Sequence, residues 1–473
     1  MPERAEIAGL VDLVTREALA YLDSLDSLPV RSPRSEEAAH SFDSPLPDIG
    51  GGASQALQEL IQGGMDAALS SSGPRFFHFV MGGSTPAALG ADWLATVIDQ
   101  VAYAWVSSPL AVKLEIVSLN WLKDLLSLPA GWSGVMTTGA TMANFVGLAA
   151  ARQWWGHRHG VDVAQQGLQG LPQVPVFSSG YVHASAVKVL GMLGIGRAAI
   201  RILSHDAAGR LDVPALDRAL QELDGAPAIL IGNAGEVNAG DFDPIATLAD
   251  LAEEHGAWLH VDGAFGLFAR ATPLADHLAH GVERADSVTV DGHKWLNVPY
   301  DCGFAFVGQQ SLLAEAFAYT AAYLPGPEDP RPNMGAIGPE SSRRARSLSV
   351  WSTLRAYGRT GYREMIERHL ALAQRMARLV DEAPELERLA EVPLNIVCFR
   401  VNPGSHSEGE LDRLNNRLGE ALLEDGRVYA GTTDFEGKVA LRPAIANWRT
   451  REEDIDMFIR IVRELAADLV SAD

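Results

Sequence analysis

Two strand ends and one lysine carry the chemistry that can be read from this sequence. Ala257 to Val261 is a short apolar run that ends in Asp262, followed by Gly263 and Ala264. That is how a buried parallel strand presents a carboxylate at its C-terminal edge, where α/β sheets bind ligands. A second run, Ser287 to Val290, ends in Asp291-Gly292-His293-Lys294-Trp295. A lysine in so apolar a setting is costly to keep charged, so its pKa is expected to fall and its amine to act as a nucleophile. Taken alone, an Asp after a strand is also an ordinary cap, and a Lys before Trp an ordinary solvated side chain. Together they form the pair that pyridoxal 5'-phosphate requires. The lysine holds its aldehyde as a Schiff base, and the carboxylate keeps the pyridine nitrogen protonated so that the ring accepts electrons.

These residues need a sheet to position them. Strands near residues 176, 229, 259 and 288 alternate with helical patterns such as Pro244 to His255, and Gly303 to Val307 adds a further strand. The alternation predicts a mainly parallel sheet flanked by helices on both faces. His183 falls where the chain leaves the strand at Pro175 to Phe177 and enters a helix, and Asn233 follows the strand Ala228 to Ile231. Gly134 to Gly147, GVMTTGATMANFVG, is a Gly- and Thr-rich turn leading into an apolar helix. Small residues let backbone N–H groups approach, hydroxyls donate, and the helix N-terminus is electropositive, so the turn suits a phosphate. Gly191 to Gly196, GMLGIG, lacks the preceding strand and full spacing of a dinucleotide loop.

At 473 residues the chain is long enough for more than one core. Its 47% hydrophobic and 21% charged residues are an ordinary globular balance. A net charge of −22 argues against nucleic acid or an anionic membrane as a partner. Two cysteines, Cys302 and Cys398, exclude a disulfide framework and a Cys-rich metal site. The N-terminal helix pattern, interrupted by Asp12 and Glu17, is no signal peptide, and no uncharged apolar run reaches the length of a membrane span. Cytoplasm is the expected compartment.

HVDGAFG followed by DGHKWLNVPYDCG closely resembles the group II pyridoxal 5'-phosphate-dependent decarboxylases, which include the aromatic amino acid and glutamate decarboxylases. The resemblance runs from about Arg75 to the C-terminal end. It implies a fold type I α/β enzyme in three parts: an N-terminal helical segment (1–75) that packs across a dimer partner, a large cofactor-binding domain (76–350), and a small α+β domain (351–473). It implies that Lys294 bonds the cofactor, Asp262 pairs with the pyridine N–H, and His183 stacks on the ring. Gly139, Ala140 and Thr141 would cradle the phosphate, with Asn233 and Ala264 near the ring. His293 would contact phosphate or substrate carboxylate, and Asp291 is counted among the cofactor-binding residues without a role of its own. Asp291 stands where aromatic decarboxylases often carry Asn, and a carboxylate beside phosphate is repulsive unless paired or protonated.

Residues 4–23 read as an amphipathic helix, Ser24 to Ser54 as an irregular connection, and Ala56 to Leu69 as a helix. Phe76, Phe77, Phe79, Tyr103 and Trp105 are aromatic candidates for an apolar pocket; Phe77, Tyr103 and Trp105 are taken as substrate residues, the last two because they match wall positions of aromatic decarboxylases. Leu324 to Ser342 contains little but turn formers, and such a loop inside a compact domain is usually functional. In the resembled enzymes it is a mobile lid whose tyrosine protonates the substrate carbon. Here Ile337 takes the matching position, and the nearest tyrosine is Tyr323. Towards the C-terminus the patterns give a helix through Ile366, Ala373 and Val380, strands at Ile396 to Val401 and Lys438 to Arg442, and a helix from Leu411 to Leu423. A last helix starts near Asp454, with Thr450-x-x-Glu453 as its capping box. The resemblance implies decarboxylation of an L-amino acid, aromatic slightly favoured. Aldehyde-forming oxidative decarboxylation-deamination or transamination is the alternative that the missing tyrosine raises, and a catalytically quiet cofactor-binding protein is a third.

Overall fold

The computed structural model describes residues 2–319, 329–404 and 406–472. Five helices precede the first strand: α1 (Pro2–Ser24), α2 (Ser35–His40), α3 (Ala53–Ala67), α4 (Pro86–Ile98) and α5 (Pro109–Leu125). Helices α1 and α3 lie where the apolar spacing put them, whereas the connection expected to be irregular contains α2. Helix α3 buries none of its residues within the chain. Helices α4 and α5 start alike. Thr85 and Ser108 accept the backbone N–H groups of Ala88 and Ala111, and a proline fills the first turn, where no N–H is missed.

Seven strands follow: β1 (Ser133–Thr137), β2 (Val176–Ser178), β3 (Ile200–Ile202), β4 (Ile229–Asn233), β5 (Trp258–Asp262), β6 (Ser287–Asp291) and β7 (Gly303–Val307). They form one sheet in the order β1-β7-β6-β5-β4-β2-β3. The neighbours from β6 through β3 are parallel, and β7 runs antiparallel between β6 and β1. Strands β4, β5 and β6 are buried at every position. Covered on both faces, β4 reads as a continuous apolar run, whereas β5 and β6 carry the buried polar residues His260, Ser287 and Thr289. The flanking helices are α6 (Ala140–Arg158), α7 (Val163–Gln166), α8 (Ala184–Met192), α9 (Val213–Gln221), α10 (Ile245–His255) and α11 (Gln310–Phe317). Register sets Asn233 beside Asp262, and Asp262 beside Thr289. The polar ends of β4, β5 and β6 thus share one sheet edge.

Helix α12 (Ser347–Asp381) links the two cores and breaks its regular geometry at Gly358, where φ is 60°. The expected boundary at 350/351 falls inside this helix. Val350, Leu354, Tyr362 and Ile366 still belong to the main core, and from Leu372 onward the helix joins a second one with Phe399, Leu418 and Phe458. That second core lies under a four-stranded antiparallel sheet, β10-β11-β9-β8, formed by β8 (Leu386–Arg388), β9 (Phe399–Val401), β10 (Thr432–Phe435) and β11 (Lys438–Leu441). Helices α13 (Glu408–Asp425) and α14 (Glu452–Ala472) complete it. The capping box sits elsewhere than expected. Ser407 and Glu410 form one at α13, whereas the Thr450 hydroxyl donates to the Pro74 carbonyl (2.8 Å) and Asp454 accepts the Arg451 N–H (2.9 Å).

Candidate active site

A cavity of about 330 Å³ opens at the carboxyl ends of β4, β5 and β6. Ten of the residues singled out from sequence line it: Gly139, Ala140, Thr141, His183, Asn233, Asp262, Ala264, Asp291, His293 and Lys294. They come from five separate stretches of chain, and the sheet edge brings them together.

Asp262, the last residue of β5, is buried and held from two sides. Its Oδ2 accepts from Asn144 Nδ2 (2.8 Å) and its Oδ1 from the Ala264 N–H (3.1 Å). Ala264 therefore acts on Asp262 through its backbone. His183 caps α8, and its Nδ1 accepts the Ser185 N–H (3.2 Å) and lies 2.7 Å from Ser185 Oγ. Desolvation lowers its pKa against the opposing pull of Asp262, and because Nδ1 accepts, the neutral ring carries its proton on Nε2. Asn233 lines the wall, but its amide is committed: Nδ2 donates to Asp243 Oδ2 (2.8 Å). Burial pushes that carboxyl up to about 6.

The purely apolar setting expected for Lys294 is corrected by the structure. Its Nζ lies 3.1 Å from Asp291 Oδ2, with the Phe265 ring centroid 5.8 Å away. Asp291 in turn accepts the Ala140 N–H at 2.6 Å and lies 3.5 Å from His293 Nε2. The carboxylate that stood out as repulsive in sequence is thus paired with the lysine and with the N-terminus of α6. His293 is desolvated, which lowers its pKa, and its Nδ1 accepts the Cys302 N–H (3.2 Å). The Tyr300 ring stacks on its imidazole at 4.0 Å. Gly139 keeps the cradle open: φ is 153°, and an added Cβ would come within 3.0 Å of His293 Cε1.

The aromatic candidates fare differently. Phe77 does not reach the cavity and is corrected to a core residue, packed in the second core 5.1 Å from the Phe458 ring. Tyr103 and Trp105 do not line the cavity of this chain either. Their backbone is tied to the segment after residue 331: Gly335 N–H donates to Tyr103 O, and Trp105 N–H to Pro332 O, each at 3.0 Å. Ile337 follows a short 3-10 turn at Met334–Ala336 and is buried in the main core, so this part of the expected lid is packed. Tyr323 and residues 324–328 lie outside the described residues. Sequence reasoning passed over Asn144, Ser185, His260 and Tyr300. The signal for Asn144 and His260 was a polar residue inside an otherwise apolar run, MANFVG and WLHVD.

The donor set fits pyridoxal 5'-phosphate: an amine for the aldehyde, a buried carboxylate for the ring nitrogen, and a helix N-terminus capped by Gly139 for the phosphate. A lysine and an aspartate so placed on a mainly parallel sheet define a fold type I pyridoxal 5'-phosphate enzyme. The chain belongs to the pyridoxal-dependent decarboxylases, whose conserved domain matches residues 36–402. It is 28% identical over 467 residues to an aromatic-L-amino-acid decarboxylase of Bacillus atrophaeus, covering 97% of this chain and 94% of the relative. It is 28% identical over 469 residues to a phenylacetaldehyde synthase of Arabidopsis thaliana, covering 95% and 94%. Among solved structures, that of Oryza sativa TDC with PLP and tryptamine superposes with a TM-score of 0.90 at 25% identity, over 98% of each chain. The protein is a pyridoxal 5'-phosphate-dependent amino acid carboxy-lyase, as the sequence implied.

Proposed function

We propose that the substrate is an aromatic L-amino acid, released as its amine and CO2, and that Lys294, Asp262 and His183 form the catalytic group. One observation carries the assignment: the amine of Lys294 and the carboxylate of Asp262 line the same cavity from neighbouring strand ends. Lys294 would hold the cofactor, which would supply an electron sink for decarboxylation. Asp262, held by Asn144 and Ala264, aims its carboxylate at the ring nitrogen, while His183 offers its Nε2–H from the cavity wall. Gly139, Ala140 and Thr141 present the α6 N-terminus to the phosphate, with His293 and Asp291 beside it and Asn233 near the ring. Asp291, which already accepts from Ala140, would share that cradle with the phosphate.

The remaining parts of the reading concern assembly. We propose a cytoplasmic homodimer with its active sites at the interface, residues 1–75 as an arm over the partner, and Tyr103 and Trp105 as substrate residues. Trp93, Leu94, Val97 and Ile98 of α4, with Val101 and Val106 after it, are exposed apolar residues in a single chain, and a second copy would cover them. Among the described residues no helix is long and apolar enough to cross a membrane. Sedimentation at micromolar concentration tests the dimer, and a monomer would remove this part.

A second reading has its own support. With Ile337 packed in the core at the position of the family's lid tyrosine, the reaction can instead consume oxygen and water and yield aldehyde, CO2, ammonia and peroxide. Mass spectrometry of products from a pool of L-amino acids, in air and without oxygen, separates the two. Amines under both conditions support decarboxylation; aldehyde and peroxide only in air support the oxidative route.

A further inference from the structure

We propose that Asn144 is a positioning residue of this site: its one amide orients both Asp262 and, through Ser185, His183, and His260 fixes that amide from behind. The proposal rests on the assignment of Asp262 to the ring nitrogen made above.

Asn144 lies in the second turn of α6, fully buried among Ala143, Val146 and Gly147. Its Nδ2 is 2.8 Å from Asp262 Oδ2 and 3.4 Å from Ser185 Oγ. Its Oδ1 is 2.8 Å from His260 Nε2, and His260 Nδ1 is 2.8 Å from Ser287 Oγ. Ser287 Oγ also accepts from Trp258 Nε1 at 3.0 Å. His260, Ser287 and Trp258 are all shut off from solvent.

The directions of these bonds follow from what each group can do. Indole N–H only donates and an ionised carboxylate only accepts. If His260 carried its proton on Nδ1, its Nε2 would face Asn144 Oδ1 lone pair to lone pair. Turning the amide over would then aim its oxygen at Asp262. A doubly protonated ring is opposed by complete burial, which pushes the pKa of His260 down to about 4. One arrangement satisfies every group. Ser287 donates to His260 Nδ1, His260 Nε2–H donates to Asn144 Oδ1, and the two amide hydrogens go to Asp262 and Ser185. Ser185 then donates its hydroxyl to His183 Nδ1, which leaves the His183 proton on the nitrogen facing the cavity.

The packing is built for this imidazole. A Cβ at Gly147 would come within 2.8 Å of His260 Cε1 and Nδ1, so only glycine lets α6 approach β5 this closely. A hydrophobic side chain at position 144 would fill the same volume without any of these bonds. The polar choice is explained by what it does for two cavity groups: a donor to Asp262 favours its charged form, and a bonded Ser185 fixes the His183 tautomer.

The test uses cofactor-free protein titrated by tryptophan fluorescence with pyridoxal 5'-phosphate and with its 1-deaza analogue, whose ring carries C–H in place of nitrogen. Wild type is expected to prefer the natural cofactor, and Asn144→Leu to shrink that preference about tenfold, the worth of one donor to a charged group. An undiminished preference in Asn144→Leu would overturn the role of Asn144. No preference in wild type would overturn the assignment of Asp262, and the proposal with it. Should Asn144→Leu fail to fold, nitrogen NMR of histidine-labelled wild type decides. A single Nε2–H tautomer of His260, unchanged between pH 5.5 and 8, supports the relay, and an Nδ1–H tautomer overturns it.

Discussion

Gly82→Ala is the sharpest test of how the Lys294 segment is held, because the obstacle is backbone rather than a movable side chain. Gly82 donates its N–H to the His293 carbonyl (3.2 Å), and a Cβ built on it would stand 1.8 Å from the Lys294 carbonyl oxygen and 2.9 Å from its carbon. Ordinary C···O contact begins near ~3.3 Å, so one of the two segments must retreat by about 1.5 Å. The lysine segment is closed in on its other side by Trp295 and Leu296, both fully buried, and by Asn297, whose amide donates to the Trp295 and Ala446 carbonyls (2.9 and 3.0 Å). Overpacking of this kind costs about 1–3 kcal/mol in stability. A misplacement of roughly 1 Å at a reacting group costs about a hundredfold in rate. The expected outcome is a kcat/KM reduced about a hundredfold, a lowered melting temperature, and the same secondary structure by circular dichroism. Gly409→Ala, on the exposed first turn of α13, is the control: its nearest neighbour is the flexible Arg413 tip at 3.8 Å, so it should keep full activity and be no less stable. Wild-type kcat/KM and melting temperature in Gly82→Ala would refute the close packing of residues 81–83 on the lysine segment.

Three further outcomes follow from the same geometry. Lys294→Ala should fall to background turnover; borohydride reduction should fix the cofactor to wild type but not to the variant, as read by intact mass. His369 is buried, accepts from Trp295 Nε1 (2.8 Å), lies 3.0 Å from the Asn447 carbonyl, and its pKa is pushed from 6.5 down to about 3. The unfolded chain takes up this proton more readily, so the contribution is intact above pH 6.5 and lost as pH falls. Between pH 7.5 and 5.0 the loss is on the order of 2 kcal/mol. In urea unfolding His369→Gln should show that much less acid sensitivity, and an unchanged pH slope would sink the idea. Glu115 and Arg343 form a buried ion pair at 2.6 Å, and Arg343 also donates to the Ala102 and Met136 carbonyls (2.5 and 2.9 Å). Glu115→Ala leaves that guanidinium without its anion and should cost about 3–5 kcal/mol by denaturant titration.

What could be read from the sequence divides along a physical line. Asp262 and Asp291 were legible because a strand buried on both faces carries no charge inside, so the first carboxylate marks its end, and Lys294 follows three residues after the second. Asn144 and His260 were not, because periodicity detects which face is buried and says nothing of a polar group that belongs inside. Burying an amide or imidazole is costly unless every donor and acceptor is met, so a lone Asn in MANFVG already implied a partner. Nothing local could say that the partner was Asp262, 118 positions away. The same limit misplaced Phe77. Phe76, Phe77 and Phe79 look equivalent as a cluster, but the chain there sends Phe77 into the second core and leaves Phe79 59% exposed, so which aromatic faces which core depends on contacts with the distant Tyr429 and Phe458. Asp291 carries the lesson furthest. In sequence it was a charge set against an expected phosphate; in the fold the α6 N-terminus and Lys294 already give it partners, so its cost depends on whether the phosphate displaces those contacts or shares them.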